Sequence, residues 1–244
     1  MKKKRMWREY AQIFQALSID PSVRAIVLSA VGERAFCAGL DLSATELASV
    51  PPSPSSSGGA EGGEGQDAAR RSFGLRRTIK EFQDAISAAE VCEKPVVAAI
   101  HGIAFGLAMD IACCTDVRLC AQDAKFAVKE VDIGIPLSLV PLTMLGGRGV
   151  DEEVGIAADI GTLSRLPKIV GSMSWVKDVC YSARVFGADE ALRHGFVSAV
   201  LPSKAQALGE ALRLAGVVAD KSPLAVQSTK AIINYSVDHS VSEG

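Results

Sequence analysis

Three carboxylic acids and two glycine-bearing junctions are the residues of this chain best suited to chemistry. The first junction is Phe36-Cys37-Ala38-Gly39-Leu40-Asp41, and the second runs from His101-Gly102 through Gly106-Leu107-Ala108. Glycine lets backbone approach a ligand closely. The second junction also opens a helix, whose free N–H groups can stabilise negative charge developing on an oxygen. Tight turns alone would also explain these glycines, and spacing does not separate the two readings. Asp110 stands one turn into that helix, and Glu130 follows the strand-like run Lys125 to Val128. Acids near helix starts commonly act as dipole partners or caps instead of catalysts. Asp159 lies between Ala158 and Ile160, a setting that suggests burial, and a buried carboxyl has a raised pKa suited to proton transfer. A helix N-cap is its alternative role.

The elements that must position these residues read as follows. Met6 to Leu17 has helical periodicity, with Trp7, Tyr10, Ile13, Phe14 and Leu17 on one stripe, and Asp20-Pro21 ends it. Ala25 to Ser29 reads as a short buried strand, Gly32-Glu33-Arg34 as a turn, and Phe36 onward as a second strand running into a loop. Residues 50–66 are rich in Pro, Ser and Gly and are expected to form a mobile surface loop. Arg71 to Val91 reads as one amphipathic helix, with Phe73, Ile79, Phe82, Ile86 and Ala89 recurring on one face. The unbroken apolar run Pro95 to Ile100 predicts a strand covered on both faces. A helix over Gly106 to Cys114 and strands at Val117 to Cys120 and Lys125 to Val128 follow. Strands alternating with helices indicate an α/β architecture. Beyond Ser172 the chain reads as helices with one short apolar run, Phe196 to Leu201, and Ser222-Pro223 predicts an N-cap with proline at the first helical position.

Composition removes several function classes. The chain has 244 residues, 48% hydrophobic and 22% charged, which suits one globular domain. A net charge of −2 gives no electrostatic footprint for nucleic acid, and the basic run Lys2 to Arg5 is too short to supply one. No apolar run reaches the roughly 18–20 residues that a membrane-spanning helix needs. The six cysteines, Cys37, Cys92, Cys113, Cys114, Cys120 and Cys180, form no CxxC pair and read as buried reduced thiols of an intracellular protein. With three scattered histidines, no zinc cluster is expected.

Taken together, His101 to Asp110, Cys114-Thr-Asp-Val-Arg118, Ala124 to Gly134, Lys221-Ser-Pro-Leu-Ala225 and Phe36 to Asp41 resemble the crotonase (enoyl-CoA hydratase/isomerase) superfamily in order and spacing. The resemblance runs over nearly the whole chain. It implies a spiral of ββα units followed by a C-terminal helical region. Hydratases of this superfamily carry glutamate at the positions matching Asp110 and Glu130. Aspartate first, then glutamate, then Ala157-Ala-Asp159-Ile-Gly-Thr-Leu163 is similar to the Δ3,5-Δ2,4-dienoyl-CoA isomerases. Asp189-Glu-Ala-Leu192 and Ser222 to Lys230 support the same branch.

What the resemblance implies is chemically coherent. A 3,5-dienoyl-CoA becomes a 2,4-dienoyl-CoA when a proton leaves C2 and another arrives at C6. By analogy Asp159 takes the first, Glu130 delivers the second, and Asp110 orients or polarises its neighbours. One acid must be protonated while another is ionised, and differing burial would separate their pKa values. The backbone N–H groups of Leu40 and Leu107 match the family's oxyanion-hole positions. Ala38, Gly39, Leu40, Asp41 and Gly106 match its coenzyme A contacts. The reaction requires no metal or redox cofactor, coenzyme A being part of the substrate. Partners implied are an acyl-CoA and further copies of the chain, as a homotrimer or homohexamer, in the peroxisome or alternatively the mitochondrion.

One segment departs from the family pattern. The family keeps its second and third acids close in sequence, whereas positions 130 and 159 stand 29 apart here. The 21 extra residues are Pro136 to Ile156. A retained intron, a splice or gene-model variant, and a real loop bulging from the active site are the competing readings. Both ends also look short against the family. The expected organisation is a spiral core over 1–200 and an incomplete helical region over 201–244.

Overall fold

The computed structural model describes residues 6–39, 68–132, 135–136, 153–154 and 158–243. The expected loop at 50–66, the junction residues Leu40 and Asp41, and most of the 136–156 insertion lie outside them.

The chain opens with α1 (Met6–Ile19), then places β1 (Ile26–Leu28) and β2 (Ala35–Cys37) in two different sheets before α2 (Ala68–Ile86) and α3 (Ala88–Val91). The pattern then repeats as β3 (Val96–Ile100), β4 (Ile103–Phe105) and α4 (Leu107–Cys113), and again with β5 (Val117–Ala121) and β6 (Lys125–Ala127). Two short strands, β7 (Ile135–Pro136) and β8 (Glu153–Val154), pair with each other. The rest comprises α5 (Thr162–Ile169), α6 (Met173–Ser182), β9 (Phe186–Gly187), α7 (Ala188–Arg193), β10 (Ala199–Leu201), α8 (Lys204–Ala219) and α9 (Pro223–Ser236).

One sheet has the order β1-β3-β5-β10, all parallel; the other is β2-β4-β6-β9, parallel except for the last pair. Each turn therefore lays one strand on each sheet and returns through a helix, the spiral of ββα units that the family resemblance implied. The step between sheets is tightest at Gly102, with φ +55°, where a Cβ would stand 2.4 Å from the Arg34 carbonyl oxygen. Successive turns are stitched at that level: Phe36 N donates to His101 O, Ile103 N to Arg34 O, and Lys125 N to Gly102 O.

Burial explains which readings held. All of β3 is buried, as its unbroken apolar run requires, and every residue of α4 is buried too, so that helix lies within the spiral. Around it pack Phe126, Phe186, Phe196, Leu166 and Trp175. Helix α8 lies on β3 and β5 through Leu208, Ala211 and Leu214. All six cysteines are free, five buried and Cys37 half-buried. Among the described residues no helix is long and apolar enough to cross a membrane.

Some expectations need correction. Ile13 is 56% exposed and Phe73 is 73% exposed, so each leaves the stripe its spacing assigned it. The helix expected over Arg71 to Val91 is two helices, interrupted at Ser87, whose amide and hydroxyl both donate to Gln83 O. Residues Ile103–Phe105, read as part of a junction, form a strand. Glu130 begins a 3-10 turn, Glu130–Asp132, three positions beyond Ala127, the last residue of β6.

Candidate active site

Asp110 is the most deeply placed of the three acids, only 1% exposed and in the first turn of a buried helix. Its Oδ1 accepts two hydrogen bonds from one residue, the Thr162 amide at 2.8 Å and the Thr162 hydroxyl at 2.7 Å. Burial pushes its pKa upward. The two Thr162 donors and the Arg165 guanidinium oppose that rise, and the Asp159 charge adds to it.

Glu130 is reached from β6 and turns back toward the second junction. Its Oε1 lies 3.5 Å from the point a Cβ on Gly106 would occupy, and the Gly39 Cα is 3.9 Å from that same point. Gly106 has φ +55° and caps α4, so a side chain there would be strained by the backbone and crowded against the carboxylate. The glycines of both junctions and Glu130 thus meet at one place. Glu130 Oε2 is buried without a hydrogen-bond partner among the described residues. Desolvation pushes the Glu130 pKa up to about 7; the amides of Glu130 and Lys129 counter it, and the charges of Asp110 and Asp159 reinforce it. A carboxyl so placed can hold a proton near neutrality and give it up.

Asp159 corrects the expectation of burial. It is exposed, in the turn before α5, and the N-cap of that helix is Gly161, so the cap reading falls as well. Partial desolvation still raises its carboxyl above the ordinary aspartate range. Its backbone oxygen accepts from Gln83 Nε2 at 2.7 Å. The charges of Asp110 and Asp159 both act on Glu130, and that of Asp159 acts on Asp110, so the three carboxyls share one electrostatic field.

At the start of α4, Gly106 N donates to Ala127 O and Met109 N to Gly106 O. Among the described residues the amides of Leu107 and Ala108 make no backbone hydrogen bond, as is usual for the first N–H groups of a helix. Of the other expected contacts, Ala38 is exposed, Gly39 is half-buried, and Leu40 and Asp41 lie outside the described residues. His101 does not reach the acids: it is buried, with Nε2 2.8 Å from Gly32 O.

Sequence reasoning missed Thr162, which bonds the Asp110 carboxylate, Gln83, which bonds the Asp159 backbone, and Arg165, whose charge acts on Asp110. Arg165 bonds Glu90 Oε2 through Nε at 3.0 Å and Nη2 at 2.6 Å, and Ser87 Oγ at 2.9 Å. The only signal was Thr162 standing three positions after Asp159.

Residues 3–145 and 150–243 match the enoyl-CoA hydratase/isomerase family model, and the chain belongs to that family. It is 43% identical over 237 residues to the mitochondrial Delta(3,5)-Delta(2,4)-dienoyl-CoA isomerase of Homo sapiens, covering 97% of this chain. The chain spans 62% of that relative's length. It is 38% identical to the peroxisomal Delta(3,5)-Delta(2,4)-dienoyl-CoA isomerase of Arabidopsis thaliana, over 97% of this chain and 73% of the relative. An enoyl-CoA hydratase structure from Bacillus anthracis superposes with a TM-score of 0.71 at 24% identity, covering 97% of this chain and 74% of that one, a likeness of fold.

Proposed function

We propose that the chain is an isomerase that converts a 3,5-dienoyl-CoA to a 2,4-dienoyl-CoA in fatty-acid β-oxidation. The observation that carries this reading is the unequal placement of three carboxyls in one field. Glu130 is held near neutrality with a buried, unpartnered oxygen, while Asp159 is exposed.

In this reading Asp159 is ionised and removes a proton from C2. The electron pair moves onto the thioester oxygen, giving a dienolate conjugated through C6. The Leu107 amide, with that of Leu40 by resemblance, donates to this oxygen; one such donor is worth about 2.7–4 kcal/mol of barrier. Glu130 then gives its proton to C6, the double bonds shift to C2 and C4, and the two carboxyls exchange protons with solvent before the next turnover. Asp110 holds its neighbours in place. Redox-neutral proton transfer of this kind calls for no oxidant or reductant.

Two relatives named as isomerases support the substrate class, one called mitochondrial and one peroxisomal, and the peroxisome or mitochondrion is the compartment proposed. Assembly as a homotrimer or homohexamer belongs to the same proposal. Leu224, Ile232 and Ile233 leave apolar surface exposed on α9, which supports it.

The test is direct. Purified chain mixed with a 3,5-dienoyl-CoA should give the strong ultraviolet absorbance of the conjugated 2,4-dienoyl thioester. No such rise, together with rapid hydration of crotonyl-CoA, would make the chain a hydratase instead.

A further inference from the structure

Asp159 resumes the site after a long insertion, and three different elements grip the stretch it begins. Gln83 of α2 holds the Asp159 carbonyl. Arg165, one turn into α5, is fixed to Ser87 and Glu90 at the start of α3. Between these two anchors Thr162, 0% exposed, donates both its amide and its hydroxyl to the single oxygen Oδ1 of Asp110. A carboxylate oxygen receiving two donors from one residue fixes that residue's position and direction more firmly than either bond alone.

We infer that Thr162 is a positioning residue for the isomerisation: its two donors lock the first turn of α5 to Asp110 and so set Asp159 and Glu130 against one acyl chain. This rests on the isomerase reading and adds to it a residue that touches neither substrate nor proton. The Thr162 hydroxyl also has an electrostatic consequence. Its bond favours the ionised form of Asp110, whose charge in turn raises Glu130. The other groups facing Asp110 are the Arg165 guanidinium, the Asp159 carboxyl and the thiols of Cys37, Cys113 and Cys114. Among the described residues, only Thr162 combines hydrogen bonding to Asp110 with a place in the Asp159 segment.

The test compares Thr162→Val, which keeps the shape and loses the hydroxyl, with Thr162→Ser, which keeps it. Thr162→Ala serves the same comparison if the valine variant is insoluble. Valine should lower kcat on the order of tenfold to a hundredfold, the scale of a lost bond to an ionised group, with little change in KM. Asp110 would then stay protonated to higher pH, Glu130 would feel less negative charge, and the basic limb of the rate profile should move to lower pH. Amide hydrogen exchange over 162–165 should quicken in the valine variant. Serine should restore kcat, limb and protection together. An unchanged kcat and limb in the valine variant, or a serine variant as impaired as valine, overturns the inference. If the unmodified chain fails to isomerise any 3,5-dienoyl-CoA, the isomerase reading falls and the exchange measurement alone decides the lock. Equal protection in valine and unmodified chains then removes it.

Discussion

Ile135 and Val154 are Cα partners in a two-residue antiparallel pair, with Pro136 opposite Glu153. The insertion therefore leaves and rejoins the body of the chain at one neck. Although Glu130 and Asp159 stand 29 positions apart in sequence, the Asp159 charge still reaches Glu130 and helps to raise its pKa.

Replacing residues 137–152 by a two-residue turn, so that Pro136 and Glu153 stay opposite each other, should then leave isomerase turnover within about threefold, since loop length outside a closed neck has a small entropic effect. The comparison is kcat/KM of the shortened and full chains. A total loss of turnover with the fold intact would mean that the insertion supplies part of the site.

Protonation sets two limbs on the rate. In the proposed relay Glu130 acts in its protonated form, and its pKa is pushed up to about 7, so turnover should fall as pH rises through that value. Asp159 must be ionised and its pKa is raised, so turnover should also fall on the acid side, at higher pH than an ordinary aspartate would give. Stability follows the same proton with a definite sign. The folded chain binds it more tightly than the unfolded chain, whose glutamate titrates near 4.5. The Glu130 contribution is therefore fully present below 4.5 and is lost as pH rises through 7. Glu130→Gln should abolish the basic limb and flatten this part of the stability profile, read by denaturant titration at several pH values.

Lys230 is the one buried residue of α9 and the point where that helix is fastened. Its Nζ donates to Ala89 O and Lys94 O, each at 3.1 Å, and to Asp116 Oδ2 at 2.8 Å; that same oxygen accepts from Val96 N. Lys230→Met should destabilise the fold by about 3–5 kcal/mol, because Asp116 and two carbonyls lose their cation together. Adding Asp116→Asn should recover part of the loss in urea unfolding. Full stability in the single variant would show that α9 is held by other contacts.

Gly102 permits no side chain. Alanine there combines a left-handed backbone with a Cβ 2.4 Å from the Arg34 carbonyl oxygen, and backbone cannot yield cheaply. The strained conformation alone is worth about 1–3 kcal/mol. Gly102→Ala should lower Tm by at least several degrees, at about 2–4 °C per kcal/mol for a domain of this size. An unaltered Tm would mean that the two sheets can slide apart at this step.

Much of this was legible in the residues. Val96 to Ile100 announces a doubly covered strand because five consecutive apolar side chains have no solvent face to offer. Gly106 before an apolar stretch marks the start of α4 for the same kind of reason. The strand Ile103–Phe105 was hidden because it is three residues long and flanked by glycines, so local pattern reads it as turn. Ser87 breaks a helix without disturbing its apolar spacing, since Ala88 and Ala89 remain in phase. The exposure of Asp159 and the role of Thr162 were beyond sequence reading. The Thr162 contact depends on Asp110, 52 positions away in sequence.

The division of labour between Asp159 and Glu130 is tested most directly by following deuterium from D2O into a 3,5-dienoyl-CoA with Glu130→Gln and Asp159→Asn. The unmodified chain should yield a 2,4-dienoyl product labelled at C6. With Glu130→Gln, deuterium should still enter C2 of recovered substrate while product formation falls by about 100-fold or more. With Asp159→Asn, neither exchange nor product should be seen. Product formed at an undiminished rate by either variant would contradict a relay between these two carboxyls.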